Sequence, residues 1–218
     1  MNKLAPGEVF WNRSEVVQYF AQKQPDPLVL QRLARIPEPH TKVVLDLGCG
    51  TGRNGIAAAT LGFAVHLCEP NRAMVQAAIG NIKSNSDRDR LAVRQHILYG
   101  EMTALPYQSH LFDAVIACGV LHQAPSLAEY DRATSELSRV SRDGSIVTLN
   151  VFTNKFVDSS LVAITGTPHS FITAEGLPMT LLPKGLFYQL MDKYGFQLEE
   201  EICEEIKMEN TGPRAILR

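Results

Sequence analysis

The chain has 218 residues, 45% hydrophobic and 20% charged, with a net charge of −2. That length supports one domain with a sizeable core, and the charge excludes a general basic field for nucleic acid. No apolar run approaches the roughly 18 residues that span a bilayer, and no basic-then-apolar leader opens the chain, so no membrane association and a cytoplasmic location are expected.

In chain order, two short helices are expected within residues 8–40. Ser14 is placed to cap the first, and Asp26-Pro27 to cap and open the second; Pro37 and Pro39 end it. The aromatic cluster Phe10, Trp11, Tyr19 and Phe20 exceeds what a polar tail needs. It either packs on the domain or forms a lid over a ligand pocket, with Trp11 or Tyr19 as a wall.

Residues 42–47 read as a continuous apolar strand buried on both faces. A helix over 53–61 stops at Gly62. A second strand over 63–68 ends at Glu69, and a helix follows over 71–83. After a polar connection at 84–90, a third strand is expected over 91–99, with Gly100-Glu101-Met102 at its end. A fourth covers 112–118, and the loop after it carries His122. Ser126-x-x-Glu129 is a capping box for a helix through Val140. Asp143-Gly144 turns into a fifth strand over 145–152. This alternation predicts a parallel α/β sheet with right-handed crossovers.

Residues 153–179 are rich in Ser, Thr, Gly and Pro without a clean period, so a long loop or small insertion is expected near the carboxyl ends of the strands. A helix over 182–194 has Pro183 in its first turn and Gly195 as its stop. A long strand over 196–206, a turn over 208–212 and a return strand over 213–217 predict a β-hairpin at the sheet edge. The cysteines, Cys49, Cys68, Cys118 and Cys203, form no CxxC pair and no zinc-spaced cluster, so free thiols and no metal are expected.

The chemistry concentrates in Asp46-Leu47-Gly48-Cys49-Gly50-Thr51-Gly52-Arg53-Asn54. A strand ends in an acid, glycines alternate, and a helix begins. Such a turn admits positive φ and close approach of a ligand to the backbone, and the free N–H groups of the helix start favour a polar or anionic ligand group. A dinucleotide fingerprint needs a third glycine where Arg53 stands. The phosphate-cradling Gly-x-x-x-x-Gly-Lys pattern is absent.

With Glu69, Glu101, the 111–123 segment and the passage from Arg139 to Gly144, each in order at an expected strand end, the chain resembles the Rossmann-like S-adenosylmethionine-dependent methyltransferases. The likeness covers residues 42–152, and within the family it leans toward small-molecule and tellurite-resistance enzymes. It implies a doubly wound, mostly parallel seven-stranded sheet with a C-terminal antiparallel hairpin and N-terminal lid helices. One domain would comprise a lid (8–40), a cofactor core (42–152), an insertion over the acceptor pocket (153–181) and a helix plus hairpin (182–218).

The implied cofactor is S-adenosyl-L-methionine, leaving as S-adenosyl-L-homocysteine. Its implied site is Asp46, Gly48, Cys49, Gly50, Gly52, Arg53 and Asn54, with Glu69 and Pro70 for the ribose, Gly100, Glu101 and Met102 near the adenine, and Cys118 and Gly119 lining the cleft. The family more often has Asp where Glu101 stands. His122 is the candidate base and a candidate acceptor contact, and Asn150 is a further catalytic and acceptor-recognition candidate. Trp11, Tyr19, Tyr188 and His169 are candidates for acceptor recognition. The acceptor is expected to be a small molecule, because no Asn/Asp-Pro-Pro-aromatic tetrapeptide follows the fourth strand; Cys118-Gly119-Val120-Leu121 stands there. The protein is expected to be a monomer or a homodimer.

Overall fold

The computed structural model describes residues 6–85, 97–209 and 212–218. Five strands run parallel: β1 (Val43–Leu47), β2 (Ala64–Cys68), β3 (Ile97–Leu98), β4 (Phe112–Cys118) and β5 (Ser141–Thr153). The antiparallel pair β9 (Glu204–Glu209) and β10 (Gly212–Leu217) completes a seven-stranded sheet of order β3-β2-β1-β4-β5-β10-β9. The reversal of strand order between β1 and β4 opens a crevice at their carboxyl ends, where open α/β sheets bind ligands.

Apolar residues alternate between the two faces of the central strands because both are covered. Leu45, Leu47, Val115 and Val151 pack with Leu137 of α6 (Leu127–Val140) and Phe187 of α7 (Lys184–Lys193). Val44, Ala114 and Ile116 pack on the other face with Ile56 of α4 (Arg53–Thr60) and Val29 of α3 (Pro27–Leu33). Side-chain caps begin three helices: Asp26 accepts from Leu28 N–H (3.0 Å), Asn71 from Met74 N–H at the start of α5 (Arg72–Ser84, 3.0 Å), and Ser126 from Glu129 N–H (3.3 Å).

Several local expectations change. Three α-helices, not two, precede β1: α1 (Pro6–Trp11), α2 (Ser14–Ala21) and α3. Arg13 rather than Ser14 occupies the cap of α2, and it makes no side-chain cap bond. Helix α3 buries Val29 and Leu33 and so belongs to the core, not to a detached lid. The expected third strand survives as Ile97–Leu98; its residues 91–96 and the connection 86–90 lie outside the described residues. Asp143-Gly144 is not a turn before β5 but lies inside it. Phe112 pairs with Ser141 while Ala114 pairs with Ile146, so the extra residues bulge out around Gly144 at φ 74°.

The segment after β5 is not plain loop. It forms a second, antiparallel sheet of β6 (Val162–Ala163), β7 (Ser170–Ile172) and β8 (Pro178–Thr180). Pro183 caps α7 instead of entering its first turn. The expected strand over 196–206 begins only at Glu204. Upstream, Glu200 is drawn aside into an ion pair with Arg32 of α3 (3.2 Å) and another with Arg35, and Phe196 and Ile202 pack on the core. The turn residues 210–211 lie outside the described residues.

Helix α4 presses hard on the sheet at Gly55, where a Cβ would fall 2.2 Å from Leu67 Cδ2 and 3.0 Å from Asp46 Oδ2. Glycine costs a helix interior about 1 kcal/mol against alanine, so this residue serves close approach. Gly55→Ala is expected to destabilise the fold by about 1–3 kcal/mol in urea unfolding, despite its better helix propensity.

Candidate active site

The ends of β1, β2 and β4 converge on the glycine turn. Gly48, Gly50 and Gly52 take φ of 61°, 55° and 83°. A Cβ on Gly48 would lie 2.5 Å from Val120 Cγ2, so the turn and the loop after β4 touch there. At Gly50 the space a Cβ would enter holds no atom within 4 Å. The turn therefore presents bare backbone on an open side, a surface that another molecule can approach closely.

Carboxylates hold this turn in shape. Asp46, buried under it, accepts from Gly55 N–H (2.8 Å). Glu69 accepts from Gly50 N–H (2.9 Å) with one oxygen and from Asn71 N–H (3.0 Å) with the other. Cys49 N–H donates to Cys68 C=O (3.2 Å). Thr51 donates its hydroxyl to Phe20 C=O of α2 (3.0 Å) and accepts from Asn81 at its own carbonyl (3.0 Å).

These acids are held at a cost. Burial pushes Asp46 up to about 7, against the bond from Gly55 and the charge of Arg53. Burial also raises Glu69, with Glu101 adding repulsion to outweigh its two backbone donors. A cation or a set of hydroxyl donors entering beside them would relieve both. Ribose hydroxyls, an ammonium and a sulfonium have that chemistry, so the residues present fit S-adenosylmethionine. Cys68 and Cys118 are raised to about 12, mainly by burial, and so stay neutral thiols.

The structure places the other expected site residues unevenly. Arg53 donates to Gln24 C=O (2.6 Å) and Asn54 accepts from Asp26 N–H (2.9 Å), so both side chains tie the start of α4 to the segment before α3. Pro70 and Glu101 are exposed, and Met102 packs on the core. Gly100 leaves no room for a Cβ, which would meet Cys68 Sγ at 2.7 Å. Cys118 is the register partner of Asn150, whose carbonyl accepts from Gly119 N–H (3.2 Å).

His122 is 2% exposed, stacked on Phe152 at 3.9 Å, and its Nδ1 accepts from Phe152 N–H (3.2 Å). Burial, and then the charge of Arg214, push it down to about 3. A neutral ring whose Nδ1 already accepts carries its proton on Nε2.

Trp11 leans on Phe10 (5.0 Å) and Phe20 (5.7 Å), while Tyr19 is 39% exposed beneath Lys23. Tyr188 packs on the α6–α7 side of the sheet, the face opposite Cys118. His169 lines an open hollow of about 390 Å³ on the β6–β7 hairpin. Gly55, Thr51, Asn81 and Val120 join the site without having been singled out in the sequence. Gly55 carried a signal, a glycine inside a helical pattern, whereas Val120 and Asn81 reach the turn only through folding. Among the described residues, no group of His, Cys, Asp or Glu could hold a metal ion, and no helix is long and apolar enough to cross a membrane.

Residues 44–144 match the family described as "Methyltransferase domain". This stretch is similar to a methyltransferase domain. A tRNA (carboxymethyluridine(34)-5-O)-methyltransferase of Arabidopsis thaliana is 29% identical over 125 residues, 57% of this chain and 27% of that protein. The chain spans less than half the length of the curated relatives it matches.

Among solved structures, a SAM-dependent methyltransferase from Methanosarcina mazei superposes with a TM-score of 0.71 at 18% identity, over 89% of this chain and 98% of that one. The 1,6-didemethyltoxoflavin-N1-methyltransferase of Burkholderia thailandensis, solved with 1,6-didemethyltoxoflavin and S-adenosylhomocysteine, gives 0.58 at 16% identity, over 100% of this chain and 90% of that one. The chain therefore shares its fold with these methyltransferases.

Two expectations follow from the charges. An acid raised by folding favours the folded state when protonated, so the Asp46 contribution is full below its ordinary 3.8 and is lost as pH rises through about 7. Asp46→Asn should flatten that part of the stability profile of the unliganded protein in urea titrations. His122 should show no titration of its ring carbon shift by NMR between about pH 5 and 8, where an unperturbed histidine titrates.

Proposed function

We propose that the protein is an S-adenosylmethionine-dependent methyltransferase acting on a small-molecule acceptor. The observation that carries this is the Glu69 carboxylate bonded beneath the open face of Gly50, inside a stretch similar to a methyltransferase domain. In this reading Glu69 accepts from the ribose hydroxyls, Asp46 and the glycine turn face the methionine end, and Glu101 lies toward the adenine. Gly119 borders the cleft at the end of β4.

When bound, the cofactor supplies a methyl group already activated by its sulfonium. The chain then has to align the acceptor in line with that group and exclude water, which lowers a barrier by roughly 7–11 kcal/mol when orientation is good. His122 would contribute shape rather than proton transfer. The aromatic cluster around Trp11 and Phe20, joined to the glycine turn through Thr51, would wall one side of the acceptor pocket; the 153–181 segment would wall the other. The small net charge of −2 supports a small acceptor over a polyanion. Four free cysteines suit a reducing compartment such as the cytoplasm.

A second reading, an RNA acceptor, is favoured by the tRNA-modifying relative from Arabidopsis thaliana. Incubation with S-adenosylmethionine, a panel of small acceptors and bulk tRNA separates the readings. The proposal expects S-adenosylhomocysteine formed with a small acceptor and none with tRNA; turnover with tRNA alone would replace it by the second reading. Methylthioadenosine as the product would instead mark intramolecular cyclisation or transfer of the aminocarboxypropyl arm. Glu69→Gln and Glu69→Ala should weaken cofactor binding by about 10–100-fold in calorimetry, the worth of hydrogen bonds to a charged group. Unchanged affinity in both variants would remove Glu69 from the site.

A further inference from the structure

Strand β9 lies at the edge of the seven-stranded sheet and reads Glu204-Glu205-Ile206-Lys207-Met208-Glu209. Ile206 is 54% and Met208 77% exposed, side by side on one face. Such an edge offers a row of backbone donors and acceptors to another strand. Which residues offer them follows from the pairing with β10. Met208 is opposite Pro213, which has no N–H, so that pair is of the non-hydrogen-bonded kind. The alternation then points the N–H and C=O of Glu205, Lys207 and Glu209 toward β10, and those of Glu204, Ile206 and Met208 outward. The bond from Arg218 N–H to Cys203 C=O (3.0 Å) fits the same parity.

We propose that β9 is the seam of a two-fold dimer, in which two copies add their β9 strands antiparallel, centred on Ile206. The charge order favours this partner. Centring on Ile206 keeps Glu204 to Met208 of each copy in the ladder, whereas centring on Met208, which also sets Lys207 opposite an acid, keeps only Lys207 to Glu209. Centred on Ile206, each Glu205 lies opposite the Lys207 of the second copy, in the non-hydrogen-bonded pair where cross-strand side chains come closest. Centring on Glu205 or Lys207 would place like charges opposite each other. Shifting by half a residue would set outward groups against inward ones and lose the ladder.

Within one chain, Lys207 Nζ already lies 2.6 Å from Glu205, and Arg218 lies 4.0 Å from the same carboxylate. The dimer therefore closes an alternating square of two acids and two lysines on one face. On the other face Ile206 meets Ile206 of the second copy, and Met208 lies beside Glu204. The Glu204 carbonyl accepts from Lys155 Nζ (3.0 Å) and keeps a second lone pair for the ladder. The seam joins the two sheets into one of fourteen strands, twice the seven of a single copy. It does not depend on which acceptor the enzyme uses.

Sedimentation velocity on the full chain tests this. The wild type should be a dimer. Ile206→Pro removes only an outward N–H, a substitution that edge strands tolerate, and should shift the chain to monomer. Lys207→Glu sets two acids opposite two acids and should weaken dimerisation about tenfold or more, whereas Glu205→Lys combined with Lys207→Glu restores the square and the dimer. Circular dichroism checks that each variant is folded, and the charge variants decide the matter if Ile206→Pro is not. A wild-type monomer at about 100 µM, or a double variant no better than Lys207→Glu alone, would overturn the proposal.

Discussion

A carboxylate buried between two strand ends has to find donors, and Glu69 finds them in the backbone: Gly50 on one oxygen and Asn71 on the other. That bridge fixes where the turn after β1 stands relative to the start of α5. Asp46 does the same between β1 and α4 through Gly55. Both acids are raised above their ordinary range by burial. The site is thus built with negative charge that the fold only partly compensates, and a ligand bearing a cation and hydroxyl donors would complete it.

The first turn of α4 shows how neighbouring side chains divide their work. Just before it Gly50 leaves the backbone bare, while Arg53 and Asn54 reach back to Gln24 and Asp26. Thr51 binds the end of α2 in the same way. The N-terminal helices are therefore fastened to the glycine turn itself. Gly7 of α1 also lies against Leu177, just before β8. One short stretch of chain thus reaches from the glycine turn to the second sheet.

His122 and the segment after β5 mark where the reading of the chain met its limit. A histidine in a loop after a central strand has the right position for a base, but its burial and its bond from Phe152 decide its charge. The residues after Thr153 lack a period because their strands are two or three residues long, too short for alternation to register. Before the delayed start of β9, Glu200 is claimed by Arg32 of α3 and by Arg35 just beyond it.

By itself, the sequence determined the alternating α/β layout, the glycine turn and the acids at the strand ends. Those are local signals: an apolar run, a residue free to take positive φ, a carboxylate just past a strand. Only the tertiary structure decided that Gly55 is the close-packing glycine, that Val120 closes on Gly48, and that His122 is neutral. It also decided that the outward-facing backbone groups of β9 belong to Glu204, Ile206 and Met208. Each depends on which surfaces meet across the sheet, and burial, which sets both packing and charge, exists only once they have met.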